Sequence, residues 1–309
     1  MMIDMRKATL AGALILSSCL PGDTRPIPAT VLLTAEPSPE VLSGVTTTDG
    51  WQITFEQLFV GIGYVSLEGD ACNTYANAGY GRLLDLGVPG KQKVAEVFGL
   101  GTCNLGLYLS VPYGAKLGQG VSEEESTFVT TIENDAGVTI CNGQPGGDRD
   151  AGYVPSGASV YVRGQASRGA DQKRFEWAFP LNYMLGLCDP SGDAGGDHTL
   201  TLRTGESPPF AIMVRAEELF RASPDDDAPL RFDALADADT DGDQAITLKE
   251  LSNVALPMSS PSADAGVLPP CDGSEPTLRY LLEQLLLPRM VRLNTTGRCW
   301  GFISATLID

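Results

Sequence analysis

Histidine is nearly absent from this 309-residue chain: His198 is the only one, and there is no Cys-x-x-Cys pair and no Cys/His cluster. A zinc site is therefore not expected, and any histidine-based triad would depend on that single ring. Positive charge is scarce as well, with Lys+Arg at 21 against Asp+Glu at 39 and a net charge of −18. Nucleic acid is excluded as a partner, because phosphate binding needs clustered cations. No GxSxG elbow, HExxH helix or Walker-type phosphate loop appears. Gly99-Leu100-Gly101 is followed by Asn104 where a dinucleotide-binding loop needs its third glycine, so it reads as a turn. Carboxylates that neighbour one another, at residues 123–125 or at Asp148 and Asp150, read as solvated polar loops. The chain is not expected to be an enzyme.

Long helical patterns are also few, whereas glycine (35) and proline (21) are abundant and charged residues make up only 19%. That balance favours a β-rich, loop-rich body. Residues 51–55 alternate apolar and polar, the period of a half-buried strand. Strand-like runs follow at 61–67, 82–86, 106–111, 127–132, 138–141, 159–163, 174–179, 199–202 and 210–214, most of them separated by Gly, Asn, Asp or Pro. Short strands without intervening long helices predict a β-sandwich. Trp177 sits in an alternating stretch and is expected in its core. Near the C-terminus, Leu278, Leu281, Leu282, Leu285 and Leu286 share one helical face, with Pro288 ending the helix at about residue 287.

Of the seven cysteines, six form an even set: Cys72, Cys103, Cys141, Cys188, Cys271 and Cys299. In an exported chain such a set reads as disulfides, although six cysteines permit fifteen pairings. The seventh, Cys19, follows Arg6, Lys7, an apolar run at residues 8–16, Ser17 and Ser18. A basic start, a short apolar stretch and small residues form a secretory signal. The run is about half the ~20 residues that span a bilayer. Leu16-Ser17-Ser18-Cys19 resembles the bacterial lipobox, in which the cysteine becomes the lipidated first residue of the mature protein. The resemblance implies a signal peptide at residues 1–18, a lipid on Cys19 and attachment to a bacterial membrane, on its periplasmic or surface face.

The most specific chemistry lies in Asp239-Thr240-Asp241-Gly242-Asp243-Gln244-Ala245-Ile246-Thr247-Leu248-Lys249-Glu250. Four carboxylates, at loop positions 1, 3, 5 and 12, suit a hard cation that takes six to eight oxygens. Thr247 and Glu250 also form a capping box that would start a helix. Leu230, Phe232 and Leu235 give a partial apolar stripe before the loop, and Leu248, Leu251 and Val254 give another after it. A start at Asp237 would place Leu248 where the closing acid belongs, so the register from Asp239 is preferred. The segment resembles an EF-hand calcium loop. That resemblance implies Ca²⁺ held by Asp239, Asp241, Asp243, the Ala245 carbonyl, Thr247 and a bidentate Glu250, with Ile246 packing into a short strand. Position 6 is usually glycine because the chain turns left-handed there, and Gln244 costs roughly 1–2 kcal/mol. That is about tenfold or somewhat more in affinity if the whole cost falls on the bound state. No second loop is present, and a lone exported loop belongs at the weak end, about 10⁻⁴–10⁻³ M. Calcium is expected to be structural rather than a switch.

The sequence thus predicts a mainly β protein with a smaller α part. Residues 19–49 form a lipid-anchored linker, interrupted by apolar Val31-Leu32-Leu33 that could form a short strand, 50–215 a disulfide-linked β-sandwich, 216–258 an EF-hand-like helix-loop-helix unit, and 259–309 a loop and C-terminal helix packed on the body. The expected function is that of an exported calcium-binding lipoprotein of the cell envelope. The rival readings are an exported enzyme or ligand carrier with its site in the β body, and a surface module that docks a protein or glycan.

Overall fold

The computed structural model describes residues 26–133, 156–180, 182–186, 188, 198–256, 275–294 and 296–303. The lipobox with Cys19, the run at 138–141, Cys141 and Cys271 lie outside them. Along the chain come β1 (Ala29–Pro37), α1 (Pro39–Ser43), β2 (Val45–Thr46), β3 (Gln52–Glu68), β4 (Cys72–Ala76) and β5 (Arg82–Asp85). β6 (Gln92–Leu109), β7 (Lys116–Leu117), α2 (Glu123–Thr131), β8 (Val160–Arg168), β9 (Asp171–Phe179) and β10 (Tyr183–Gly186) follow. After β11 (Leu200–Leu202) and β12 (Pro209–Val214) come a 3-10 turn at Ala216–Phe220, α3 (Asp233–Ala236), β13 (Ala245–Ile246) and α4 (Leu248–Leu251). The C-terminal part holds α5 (Leu278–Tyr280), which continues in wider and then tighter turns to Met290, and the strands β14 (Val291–Leu293), β15 (Gly297–Arg298) and β16 (Trp300–Ile303).

The mainly β composition matches the sequence, but the strands do not divide into the two sheets of a sandwich. They join into one mixed sheet that curls into a half-barrel, with the order β13-β9-β8-β3-β6-β1-β12-β14-β15 along its path. Two unusually long strands make this join, β3 with 17 residues and β6 with 18. β3 pairs with β8 over its first half and with β6 over its last. β6 pairs first with β1, β4 and β11, and then with β3 and β10. Glycine makes the crossings sterically feasible. A Cβ on Gly61 of β3 would lie 2.2 Å from the Ser110 carbonyl oxygen. Gly101 of β6 has φ +94°, and a Cβ there would lie 2.2 Å from the Ala71 carbonyl oxygen. The Gly99-Leu100-Gly101 stretch is therefore a kink within a strand and not a turn.

Residues 29–49 are not a linker. β1 is an inner strand, antiparallel to β6 and parallel to β12, and its odd-numbered residues from Ala29 to Pro37 are buried. The fold thus begins well before Gly50. Residues 127–132 form no strand either, because residues 123–131 are the helix α2. β-branched side chains favoured a strand there, but Ser122 starts a helix. Its hydroxyl accepts from the Glu125 amide at 3.2 Å, while Glu125 accepts from the Ser122 amide at 2.8 Å, and three glutamates fill the first turn. α2 lays Val129 on Phe59, Leu83, Ala158 and Tyr161, a small apolar cluster on the outer face of the sheet.

The main core lies inside the curl. Trp177 is fully buried there, as its alternating stretch implies, with Phe175 4.8 Å away between ring centres. Phe220 and Phe232 extend this aromatic cluster to Trp51. The leucine-rich C-terminal segment is helical as expected, with Leu278, Leu281, Leu282 and Leu286 buried. Among the described residues two disulfides fix the chain, Cys72–Cys103 and Cys188–Cys299, the second linking the start of β16 to the end of β10. Disulfides of this kind fit an oxidising, extracytoplasmic compartment. Among the described residues no helix is long and apolar enough to cross a membrane.

Candidate metal centre

The acidic loop hangs from the edge of the sheet. Ala245 and Ile246 form β13, which runs parallel to Arg174 and Phe175 of β9. The Arg174 amide donates to the Gln244 carbonyl at 2.7 Å, and the Trp177 indole N–H donates to the Ile246 carbonyl at 2.9 Å. Ile246 is buried in the main core. The short strand expected at Ile246 is present, and it pairs with the sheet edge.

The expected helix pair is absent. α3 and α4 are single turns of four residues each, so the helix-loop-helix unit is corrected to a loop between two short turns. Both flanks are pinned in extended form. Before the loop, Leu230 bridges Arg221, and the Arg231 amide donates to the Phe220 carbonyl at 2.7 Å. After it, Ala255 bridges Thr277, and the Leu256 amide donates to the Pro276 carbonyl at 2.8 Å. Helices extended through these residues would have to give up those bonds and pull Phe232 out of the aromatic cluster. The Asp49 carboxylate holds the entry, accepting from the amides of Phe232 at 2.8 Å and Asp233 at 2.9 Å. Burial raises its pKa, but the Thr47 hydroxyl and these amides outweigh it, and the group ends below its ordinary value.

Within the loop, the carboxylates of Asp239, Asp241 and Asp243 converge, with ligand oxygens within 4.8 Å of one another. Asp237 is not one of the three. The turn is made by Gly242 at φ +75° and Gln244 at φ +68°, so position 6 takes the left-handed conformation despite its side chain. Asp239 accepts from the Gly242 amide at 2.9 Å and the Gln244 amide at 3.1 Å. Asp241 accepts from the Asp243 amide at 3.1 Å, and Asp243 from the Ala245 amide at 2.7 Å.

Glu250 does not join the three aspartates. One of its oxygens accepts from the amide and hydroxyl of Thr247, both at 2.9 Å, and the other from the Thr240 amide at 3.3 Å. The capping box read from the sequence is present in full, and it occupies the carboxylate that the resemblance assigns to the metal.

A residue without any signal in the sequence completes the centre. Lys173 of β9, 66 positions before Asp239, places its ammonium against Asp239 Oδ2 as an ion pair. The Asp239 side chain is 0% exposed, whereas that of Lys173 is 21% exposed. Period-two alternation explains the reach: Lys173 shares the face of Phe175 and Trp177 but stands near the strand end, where its head meets the loop. Lys173 above all holds the Asp239 carboxyl below its ordinary pKa, against burial and with help from the Gln244 and Gly242 amides. Converging carboxylate oxygens suit a hard divalent cation, and Asp239, Asp241 and Asp243 are the residues that could hold it.

Beside the loop runs a groove of about 590 Å³ lined by Glu56, Ile132, Glu133, Arg163, Arg174 and Glu176, among others, with Ala245 to Leu248 as one wall. Arg163 is bonded to Glu56 at 3.1 Å, and Glu176 accepts from the Tyr161 hydroxyl at 2.8 Å. Among the described residues its lining includes no serine, cysteine or histidine. Compared with known proteins, the chain matches no family model, no curated protein and no solved structure.

Proposed function

We propose that this chain is an exported calcium-binding protein of the bacterial cell envelope, anchored through a lipid on Cys19, in which calcium has a structural role. The observation that carries the calcium reading is the convergence of Asp239, Asp241 and Asp243 in a loop whose next two residues are built into the sheet edge. A cation bound there would cancel the mutual repulsion of three carboxylates and brace β13 on β9. Export is supported by the two disulfides and by the leader-like N-terminus. A site formed by one loop on a rigid edge has no second loop to open against, which favours a brace over a switch.

Calorimetric titration of the mature chain with calcium chloride tests this. The wild type should bind with a Kd of about 10⁻⁴–10⁻³ M, and chelation should lower its melting temperature. The Asp241→Asn/Asp243→Asn variant should lose both effects. Absence of heat and of any melting shift at millimolar calcium would refute the proposal. For the anchor, palmitate labelling that persists in Cys19→Ala would overturn the assignment.

A further inference from the structure

The acidic loop already carries a cationic group, and that group comes from outside the loop. Lys173 belongs to β9, yet its ammonium sits on Asp239, the one carboxylate of the three whose side chain is sealed from solvent. Asp241 and Asp243 are exposed and have no such counter-charge among the described residues. An unpaired carboxylate in that sealed position would be costly, because burial penalises its charged form. The lysine removes the penalty without any metal. It also creates a conflict. A divalent ion held by Asp239 and an ammonium on the same carboxylate repel each other.

We propose that Lys173 is an internal counter-cation that competes with calcium for Asp239, so that β9 sets the affinity of the loop. This rests on the calcium reading above. Ion entry displaces the ammonium from Asp239 towards solvent; ion loss returns it. The stem of Lys173 lies near the β8–β9 hairpin, where Gly169 at φ +61° forms the exposed turn, and the head has water within reach. Two consequences follow. The loop stays docked on β9 at low calcium, because the sealed carboxylate is neutralised in either state. The affinity is weaker than the ligand set alone would give, because each binding event breaks an ion pair. A lysine with a purely structural role would have the opposite signature: removing it would loosen the loop and weaken binding.

The test compares wild type, Lys173→Met, Lys173→Gln and Lys173→Arg by calcium calorimetry and by thermal melting in chelator. Both neutral variants should bind calcium about tenfold more tightly, a step of about 1.4 kcal/mol. Both should melt lower than wild type in chelator and recover when calcium is added. Lys173→Arg should follow the wild type in both measurements. The glutamine variant keeps a neutral polar head on a stem one methylene shorter, so it decides the matter if the methionine variant fails to fold. Wild-type or weaker affinity in the neutral variants, with binding intact, overturns the role of Lys173 and leaves the calcium reading standing. No binding in any of the proteins overturns both.

Discussion

Replacing Gln244 by glycine should stabilise the protein, although glycine is ordinarily a destabilising choice. Gln244 has φ +68°, a region that costs a residue with a Cβ roughly 1–2 kcal/mol. Its backbone is fully used, the amide donating to Asp239 and the carbonyl accepting from Arg174. Its side chain is exposed and makes no hydrogen bond among the described residues, so truncation forfeits nothing there. Glycine removes the steric cost but loses more chain entropy on folding, a penalty of roughly 0.5–1 kcal/mol. The balance is a gain of about 0.5–1 kcal/mol, which for a chain of this size raises the melting temperature by about 1–4 °C. Differential scanning calorimetry in chelator measures it free of metal effects. Gln244→Ala is the control: it removes the side chain but keeps the Cβ, so it should not share the gain. If Gln244→Gly melts at or below the wild type, or if Gln244→Ala gains as much, the left-handed strain assigned to this residue is not there.

Two further outcomes are expected elsewhere in the fold. Glu218 is 1% exposed and ion-paired to Arg221, Arg215 and Arg292. Burial raises its pKa, but the Arg221 hydrogen bond and the three guanidinium charges outweigh it and hold the group below its ordinary value. Its contribution is therefore complete above the unfolded pKa of about 4.3 and is lost as pH falls through the lower folded value. Urea titrations should find Glu218→Gln less stable than wild type at pH 7, with the difference shrinking in acid; a constant difference would refute the ionic role. The Cys72–Cys103 bridge spans 31 positions. Its removal by Cys72→Ser/Cys103→Ser should cost about 3–4 kcal/mol by loop entropy, and a change below 1 kcal/mol in denaturant melts would show that the unfolded chain is already constrained there.

The parts legible in the sequence were those written in local spacing. The carboxylates at positions 1, 3 and 5, the capping box of Thr247 and Glu250, the alternation around Trp177 and the leucine stripe from Leu278 each depend on neighbours a few residues apart. Local spacing also misled. The β-branched residues of α2 suggested a strand, although Ser122 and Glu125 held the contrary signal of a capping box. The apolar stripes beside the acidic loop suggested two helices, whereas distant backbone partners at Phe220 and Pro276 stop each after one turn.

What the sequence alone determined is the chemistry of the loop: hard oxygen donors at fixed intervals on a turn the chain can make. The tertiary structure decided what that loop meets. β1 is an inner strand only because β12, about 180 residues later, lies parallel to it. Glu250 is withheld from the aspartates because its oxygens are spent on Thr247 and Thr240. Lys173 reaches Asp239 only because β9 and β13 pair side by side. Long-range backbone pairing carries no local periodicity, so the partner that sets the electrostatics of the site becomes visible only once the sheet is closed.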